Sequence, residues 1–137
     1  MTPSSKFWKI AFVAFFLSSI GDFFWHMMLF GDFYRFHLEA VNAGTPANMA
    51  FSPFLLGLEV LVALASTHFV LGMSKSCKDA AGNGALVGLL VTGGVNAVNH
   101  SFIVAWDLPL ALLDTSFGII LGCIVGSVIF ALSKKSS

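Results

Sequence analysis

The stretch LPLALLDTSFGIILGCIVGSVIFAL, residues 108–132, decides the fold, because Asp114 is the one charged side chain in it. An α-helix rises about 1.5 Å per residue, so about 20 such residues cross a hydrocarbon core of about 30 Å. Three further apolar runs are long enough to cross, at residues 7–30, 53–73 and 84–106. The sequence therefore predicts four transmembrane helices.

The composition is also typical of a membrane protein, since 57% of the 137 residues are hydrophobic and only 10% are charged. Backbone polar groups in lipid must be satisfied within the protein, which leaves helices or a closed barrel. The apolar runs lack the polar and apolar alternation that a barrel strand needs. We therefore predict an all-α integral membrane bundle that forms one transmembrane domain, residues 1–137.

The positive charges are sorted along the chain, and this sorting predicts the orientation. Six lysines lie on the amino tail, the second connection and the carboxyl tail, whereas the other side has only Arg35. Lysine and arginine are enriched in cytoplasmic loops. We expect both termini to be cytoplasmic, in an inner or plasma membrane. The sequence contains no basic, aromatic groove of the kind that holds a nucleic acid.

The three connections between the helices differ in their predicted structure. GDFYRFHLEAV, residues 31–41, predicts a short interfacial helix at the outer membrane surface, with Tyr34 and Arg35 at headgroup level. Residues 75–84 end in a Gly-Asn-Gly sequence and predict a short cytoplasmic loop. Asp107, which precedes a leucine and a proline, predicts a tight turn and an N-cap for the fourth helix.

Small and polar residues recur every four positions on the third and fourth helices. The two rows are Gly84, Gly88, Thr92, Asn96 and His100 on the third helix, and Asp114, Gly118, Gly122 and Gly126 on the fourth. Small residues at this spacing allow membrane helices to approach closely. We expect these helices to touch backbone to backbone in their cytoplasmic half and to splay around a polar cavity in their outer half.

Ionisable residues of all four helices fall at one depth. Counting from the outer helix ends places Asp22, Glu59, His100 and Asp114 roughly 9 to 12 Å below the outer surface. An unpaired charge in the bilayer costs at least about 2.5 to 3.5 kcal/mol, so these groups should face one another or water. The predicted ligand-binding residues are Asp22, His26, Glu59, Asn96, Asn99, His100 and Asp114.

Several interpretations of this polar set stay open. The residues form a hydrogen-bonded knot that fixes helix register, or they line a cavity that binds or carries a small polar or amphipathic ligand. The protein is alternatively a non-catalytic subunit that packs in a larger membrane complex or a homo-oligomer within lipid. Metal-dependent or proton-transfer chemistry is a further alternative. Asp22 and His26 offer donors for it, but an HExxH or Glu-x-x-His spacing is missing, so no metal site or cofactor is assigned.

A set of spaced residues carries a resemblance to a known family. The set consists of Asp22 and Trp25 in DFFW, residues 33–35 (FYR), and Asn99, Trp106, Asp114 and Gly118. This pattern resembles a family of bacterial four-helix membrane proteins classified as domain of unknown function 2177. The resemblance covers nearly the whole chain and implies a four-helix membrane fold without an established activity. Asn96 stands where the family pattern has an aspartate, and Glu59 and His100 also depart from it.

Overall fold

The computed structural model describes residues 4–42, 53–103 and 106–135, and all regular structure in these ranges is helical. The elements are α1 (Ser5–Phe23) with a π-helical continuation (Phe24–Leu29), α2 (Gly31–Asn42), α3 (Pro53–Met73), α4 (Cys77–Gly88), a second π-helical segment (Leu89–Gly93), α5 (Gly94–Phe102) and α6 (Leu108–Lys134). Four stretches are long and apolar enough to cross a membrane. These are span one (Ser5–Leu29), span two (Leu56–Met73), span three (Cys77–Phe102) and span four (Leu108–Lys134). The predicted all-α fold with four membrane-crossing helices is confirmed.

The bundle has two distinct ends. Lys6 donates to the backbone carbonyl of Ser133 at 2.5 Å, so the start of α1 and the end of α6 lie together. We call this end of the bundle the terminal end. The opposite end carries α2, and we call it the α2 end. Residues 43–52, between α2 and α3, lie outside the described residues.

Span three begins earlier than the sequence predicted, because the expected loop at residues 75–84 is helical from Cys77 onward. Ser76 and Asp79 form a capping box. The Ser76 hydroxyl accepts from the Asp79 backbone at 3.1 Å, and the Asp79 carboxylate accepts from the Ser76 backbone at 3.0 Å. This reciprocal capping starts the helix seven residues before the predicted position, despite the glycines that suggested a loop. Of the two glycines, Gly84 lies in the contact with α6, whereas Gly82 faces open space.

The turn before span four agrees with its prediction. Asp107 is the N-cap of α6, and its carboxylate accepts a hydrogen bond from the backbone of Leu110 at 3.0 Å. α5 ends at Phe102, where Ile103 turns to extended backbone, so Trp106 lies outside the helix that was expected to include it. Residues 104 and 105 of that predicted span lie outside the described residues.

The closest contact in the bundle joins α4 to the middle of α6 at the glycine rows. A Cβ built on Gly84 would overlap the carbonyl oxygen of Gly122, and one built on Gly88 would overlap that of Gly118. Neither position has room for any side chain, so the two backbones lie against each other. Gly126 packs on the same surface, where an added Cβ would meet the backbone of Ala80.

Span three and span four are joined by side chains at the α2 end. Asn96 is only 1% exposed, and its side-chain amide donates to Asp114 at 2.8 Å and to Thr115 at 3.3 Å. The backbones of the two spans lie less closely together here than at the glycine contact. An open space lies between these two spans and the first two spans.

The apolar core lies near the terminal end and includes residues of every span. Its buried members are Ile10, Ala14, Ala63, Val70, Ala80, Val125 and Ile129. Three of them are alanines, so the helices pack closely through small side chains here as well as through glycine.

Helix α2 packs onto the bundle through Tyr34, which is only 6% exposed. Tyr34 therefore faces the bundle, whereas Arg35 is exposed, and their position at headgroup level stays a prediction. The phenol of Tyr34 points into the bundle because the hydrogen-bond partners of its hydroxyl group lie there. On the same helix His37 Nδ1 lies 2.8 Å from the carboxylate of Asp107, which ties α2 to the start of α6.

Candidate functional site

Asp114 lies at the centre of a hydrogen-bonded cluster at the α2 end. Its Oδ1 contacts His26 Nε2 at 2.9 Å and accepts from the Tyr34 hydroxyl at 2.8 Å. Its Oδ2 accepts from the Asn96 amide at 2.8 Å. The three partners come from span one, α2 and span three. One carboxyl group in span four thus connects three other elements.

The π-helical continuation of span one brings His26 to Asp114. In this segment the backbone of Phe30 donates to the carbonyl of Trp25 at 2.9 Å, which is the wide i→i+5 pattern. The extra residue per turn changes the direction of the side chains that follow α1. Such widened turns occur often at functional sites in helices.

Both ring nitrogens of His26 contact acceptors. Nδ1 lies 2.9 Å from the backbone carbonyl oxygen of Asp22, and Nε2 lies 2.9 Å from Asp114 Oδ1. A carbonyl oxygen has no proton, so Nδ1 must carry the hydrogen of the first bond. The second bond then holds one more proton, which lies either on Nε2 facing a carboxylate or on the acid facing a neutral imidazole. Both arrangements give the pair zero net charge.

Two tryptophans orient the partners of Asp114. Trp106 donates its indole N–H to Asn96 Oδ1 at 2.9 Å. Because an indole only donates, the amide oxygen must face Trp106, which turns the amide nitrogen toward Asp114. Trp25 donates to the Tyr34 hydroxyl at 3.1 Å, so the phenol oxygen accepts from Trp25 and donates to Asp114.

Aromatic packing encloses the cluster. The Trp25 ring stacks on Phe117 with centroids 4.7 Å apart, and the His26 ring lies 4.4 Å from that of Tyr34. Phe117 also meets His26 edge to face at 5.4 Å. Burial, together with the neighbouring Asp114 carboxylate, raises the pKa of Tyr34 above its usual range. The hydroxyl therefore keeps its proton and remains a donor at physiological pH.

Two further acids, Asp22 and Glu59, lie beside this cluster. The Ser19 hydroxyl donates to Glu59 Oε2 at 2.9 Å, which joins span one to span two. The carboxyl group of Asp22 is close enough to His26, Glu59 and Asp114 to interact with their charges. Among the described residues, no donor forms a hydrogen bond with the side chain of Asp22.

A cavity of about 1210 Å³ lies between spans one and two on one side and spans three and four on the other. Asp22, His26, Glu59 and Asp114 line it near the α2 end. From Asp114 to Gly126, which also lines it, α6 advances about 18 Å. The ionisable groups are gathered at one end, and valine and leucine side chains dominate the remaining wall.

The structure brings four of the seven predicted site residues to this cavity, namely Asp22, His26, Glu59 and Asp114. Asn96 lies behind Asp114 and contacts it directly. Asn99 and His100 do not line the cavity. His100 is exposed, and its Nδ1 contacts the backbone carbonyl of Trp106 at 2.7 Å. The imidazole at the cluster is therefore that of His26 in span one, and not the one expected from span three.

Sequence reasoning left Tyr34, Trp25, Trp106 and Ser19 out of the site. Tyr34 was expected at the membrane surface, where aromatic residues are common. A signal for Tyr34, Trp25 and Trp106 was present, because these three belong to the residues that carry the family resemblance. Within the ranges 4–42, 53–103 and 106–135, no group of three or more His, Cys, Asp or Glu side chains is arranged to hold a metal ion.

Comparison with known families assigns the chain. Residues 7–131 match the family described as "Predicted membrane protein (DUF2177)", so the chain belongs to this family, as the resemblance predicted. The match covers all four spans apart from the first residues of span one and the last residues of span four. No curated protein and no solved structure matches the chain significantly. The family description identifies a membrane protein and assigns no activity.

Proposed function

We propose that this membrane protein binds a small amphipathic molecule in the cavity between its first and second pairs of spans. The observation that carries the proposal is a space of about 1210 Å³ whose ionisable groups gather toward one end. Ligand pockets typically measure about 300 to 1,000 Å³ and have mostly apolar walls with a few polar groups that fix orientation. This cavity is somewhat larger than that range, and its lining fits the description.

The proposed site residues are Asp22, His26, Glu59 and Asp114, with Asn96 holding Asp114 in place. Asp22 and Glu59 face the ligand head, because the first has no hydrogen-bond donor among the described residues and the second has only Ser19. The acid of Asp114 is already occupied by three partners. Asn99 and His100 are left out of the proposed site, since they lie away from the cavity.

The apolar part of the ligand would lie along the wall formed by Val62, Val87, Val91, Leu121 and Val125. Each buried methylene contributes about 0.8 kcal/mol to binding from water. A chain of several carbon atoms would therefore provide most of the affinity, and the acids would select the head group.

The glycine rows determine one side of the cavity. We propose that the backbone contact of Gly84 and Gly88 with Gly122 and Gly118 makes spans three and four a rigid pair. Spans one and two then pack against one face of this pair, and the small residues along that face leave space. Gly84, Gly88, Gly118 and Gly122 all border the cavity as well as the helix contact.

The cavity head would face the outer side of the membrane. Six lysines lie on the terminal-end segments of the sequence, which supports cytoplasmic termini. The α2 end then lies outside, and α2 covers the outer mouth of the cavity at the membrane surface. Cysteine-accessibility labelling of the exposed Cys77 from either side of closed vesicles would test this orientation.

A cavity-filling substitution tests the proposed function. Val87→Trp places an indole in the cavity wall, whereas Val98→Trp places one on an exposed, lipid-facing position of the same span. The probe is 1-octanol, retained by protein in lipid nanodiscs and detected by native mass spectrometry. We expect the wild-type protein and Val98→Trp to retain the probe and Val87→Trp to lose it. Equal retention by the two folded variants, or none by the wild type, would contradict the proposal.

A further inference from the structure

We infer that the ligand carries a positively charged head, such as a primary ammonium group, which is held between Asp22 of span one and Glu59 of span two. This inference rests on the proposed function and adds the chemical class of the ligand to it. It follows from the charges around the cavity, from their existing partners and from an unpartnered hydroxyl deeper in the same space.

The charges that line the cavity are predominantly negative. Five acids border it: Asp22, Asp32, Glu39, Glu59 and Asp114. The basic groups on the same lining are Arg35 and His26. His26 is committed to Asp114 through the shared proton of that pair, so the pair as a whole is neutral.

Arg35 does not neutralise the deeper acids. Its side chain is exposed on α2, and among the described residues no carboxylate lies within ion-pair distance of its guanidinium. Asp32 and Glu39 share α2 with Arg35 and are exposed as well, so their charges are screened by solvent. Asp22 and Glu59 thus remain as two acids within membrane-crossing helices without a cationic partner among the described residues.

Two neighbouring acids in a poorly hydrated space favour a cation. Their mutual repulsion and their separation from water both raise the energy of the ionised pair. A cation bound between them removes both costs, and an ammonium group offers three donors for the carboxylate oxygens. An anionic head would add a third negative charge, and a hydroxyl head would leave the repulsion in place.

Ser66 gives a second observation further along α3 in the same space. The residue lines the cavity, is only 8% exposed, and forms no hydrogen bond with the other described residues. Its hydroxyl group opens onto the cavity, where a ligand or water would be its hydrogen-bond partner. Ser66 follows Glu59 by seven residues, which places both on one face of α3 about 10 Å apart. The polar character of the cavity therefore extends inward from the acids.

The ligand class predicts a head-group preference that a matched series of probes measures. The probes are 1-octylamine, 1-octanol and octanoate, which share one chain length and differ in head charge at neutral pH. Binding to protein in nanodiscs is measured by titration calorimetry, with empty nanodiscs subtracted to remove partition into lipid. We expect octylamine to bind about ten- to a hundredfold more tightly than octanol, which is the range for one charge-assisted contact, and octanoate to bind more weakly than both.

Neutral isosteres identify the acids that make this preference. Asp22→Asn with Glu59→Gln should bring the affinity for octylamine down to about that for octanol, because the amides carry no charge. The matched control is Asp79→Asn at the exposed start of span three, which should keep the full preference. If the double variant does not fold, each single variant should still lower octylamine affinity by at least about threefold.

The possible outcomes separate this inference from the proposed function. Equal binding of octylamine and octanol by wild-type protein, with loss of both in Val87→Trp, would overturn the cationic class and leave the cavity assignment intact. Tighter binding of octanoate would overturn it as well. Failure of every probe to bind would overturn the proposed function itself. A preference for octylamine that survives the double variant would reject the two acids as its source.

Discussion

Spans three and four are joined in two different ways along their length. Near the terminal end and the middle of the bundle, glycine backbones lie directly against each other, at Gly84 with Gly122 and at Gly88 with Gly118. At the α2 end the same spans are joined by side-chain hydrogen bonds between Asn96 and Asp114. The first contact depends on the absence of side chains, and the second depends on their chemistry.

This difference assigns two roles: the glycine contact fixes the two spans against each other, and the polar end is the candidate site. A backbone contact has no polar side chain to offer a ligand, but it fixes the distance between helices closely. Hydrogen-bonded side chains between membrane helices contribute on average only about 0.6 kcal/mol each. The polar end is therefore a weak source of stability and, with its acids and adjacent cavity, the better candidate for binding.

The largest expected effect comes from breaking the glycine contact. Gly88→Val would drive a side chain into the backbone of Gly118, which cannot move unless the spans separate. Overpacking of this kind costs about 1 to 3 kcal/mol or more, and we expect the upper end or loss of folded protein. The control is Gly94→Val on the same span, where an added Cβ meets open space. Thermal unfolding in detergent micelles, followed by size-exclusion chromatography, measures the difference. Equal stability of the two variants would contradict the claim that the glycine contact fixes spans three and four against each other.

A smaller loss is expected at the polar end when its central acid is removed. Asp114→Leu leaves His26, Tyr34 and Asn96 without their shared acceptor. A polar group left unsatisfied costs about 1 to 3 kcal/mol, and relaxation toward cavity water keeps the total for the three near 2 kcal/mol. Ser116→Leu, at an exposed position two residues away, is the control, since its hydroxyl bonds only within its own helix. If both variants unfold at the same temperature, the cluster around Asp114 contributes no stability.

A still smaller effect is expected from Tyr34→Phe, which deletes one hydroxyl and keeps the buried ring. The change removes the hydrogen bonds to Asp114 and from Trp25, at an expected cost of about 1 kcal/mol. The consequence should be local, because Tyr34 attaches α2 to the bundle. Hydrogen exchange should accelerate in α2 and remain unchanged in α4. Phe36→Tyr, which adds a hydroxyl to an exposed ring of the same helix, should change neither.

The titration of Tyr34 gives the most delicate comparison. Tyr34 is the single tyrosine of the chain, so the change of near-ultraviolet absorbance on phenol ionisation reports on it alone. Burial, followed by the charge of Asp114 and its hydrogen bond, raises the pKa of Tyr34 above that of an exposed tyrosine, about 10. The neutral phenol therefore stabilises the folded state at pH values below about 10. This stabilisation is lost as the pH rises through the higher pKa that Tyr34 has in the folded protein. We expect little ionisation at pH values near 10 in folded protein and normal ionisation after unfolding. Normal titration in the folded protein would show that the phenol is not buried beside Asp114.

The sequence was sufficient for the fold because the bilayer imposes simple rules. Residues 108–132 needed only length and apolarity to be recognised as a span, and Asp107 needed only its position before the helix to be recognised as a cap. The loop predicted at residues 75–84 failed because local glycine content outweighed the capping box of Ser76 and Asp79. One of these glycines, Gly84, makes a tertiary contact with α6, which local propensity does not contain.

The residues predicted for the site lie only partly together, and the difference has a geometric cause. Depth alone grouped His100 with Asp22, Glu59 and Asp114, but depth gives no information about the direction of a side chain around the helix. The π-helical segments change that direction, and of the two predicted histidines His26 contacts Asp114 whereas His100 is exposed. Tyr34 was missed for a related reason, since aromatic residues near a membrane surface have an ordinary explanation that requires no partner.

The most direct test of the account is a crystal structure of the protein in a lipidic phase with 8-bromooctylamine, whose bromine is located by anomalous scattering. The account predicts the ammonium group between Asp22 and Glu59 and the bromine in the apolar part of the cavity toward Gly126. A cavity closed by side chains, or a bromine found only among lipid tails outside the bundle, would contradict it.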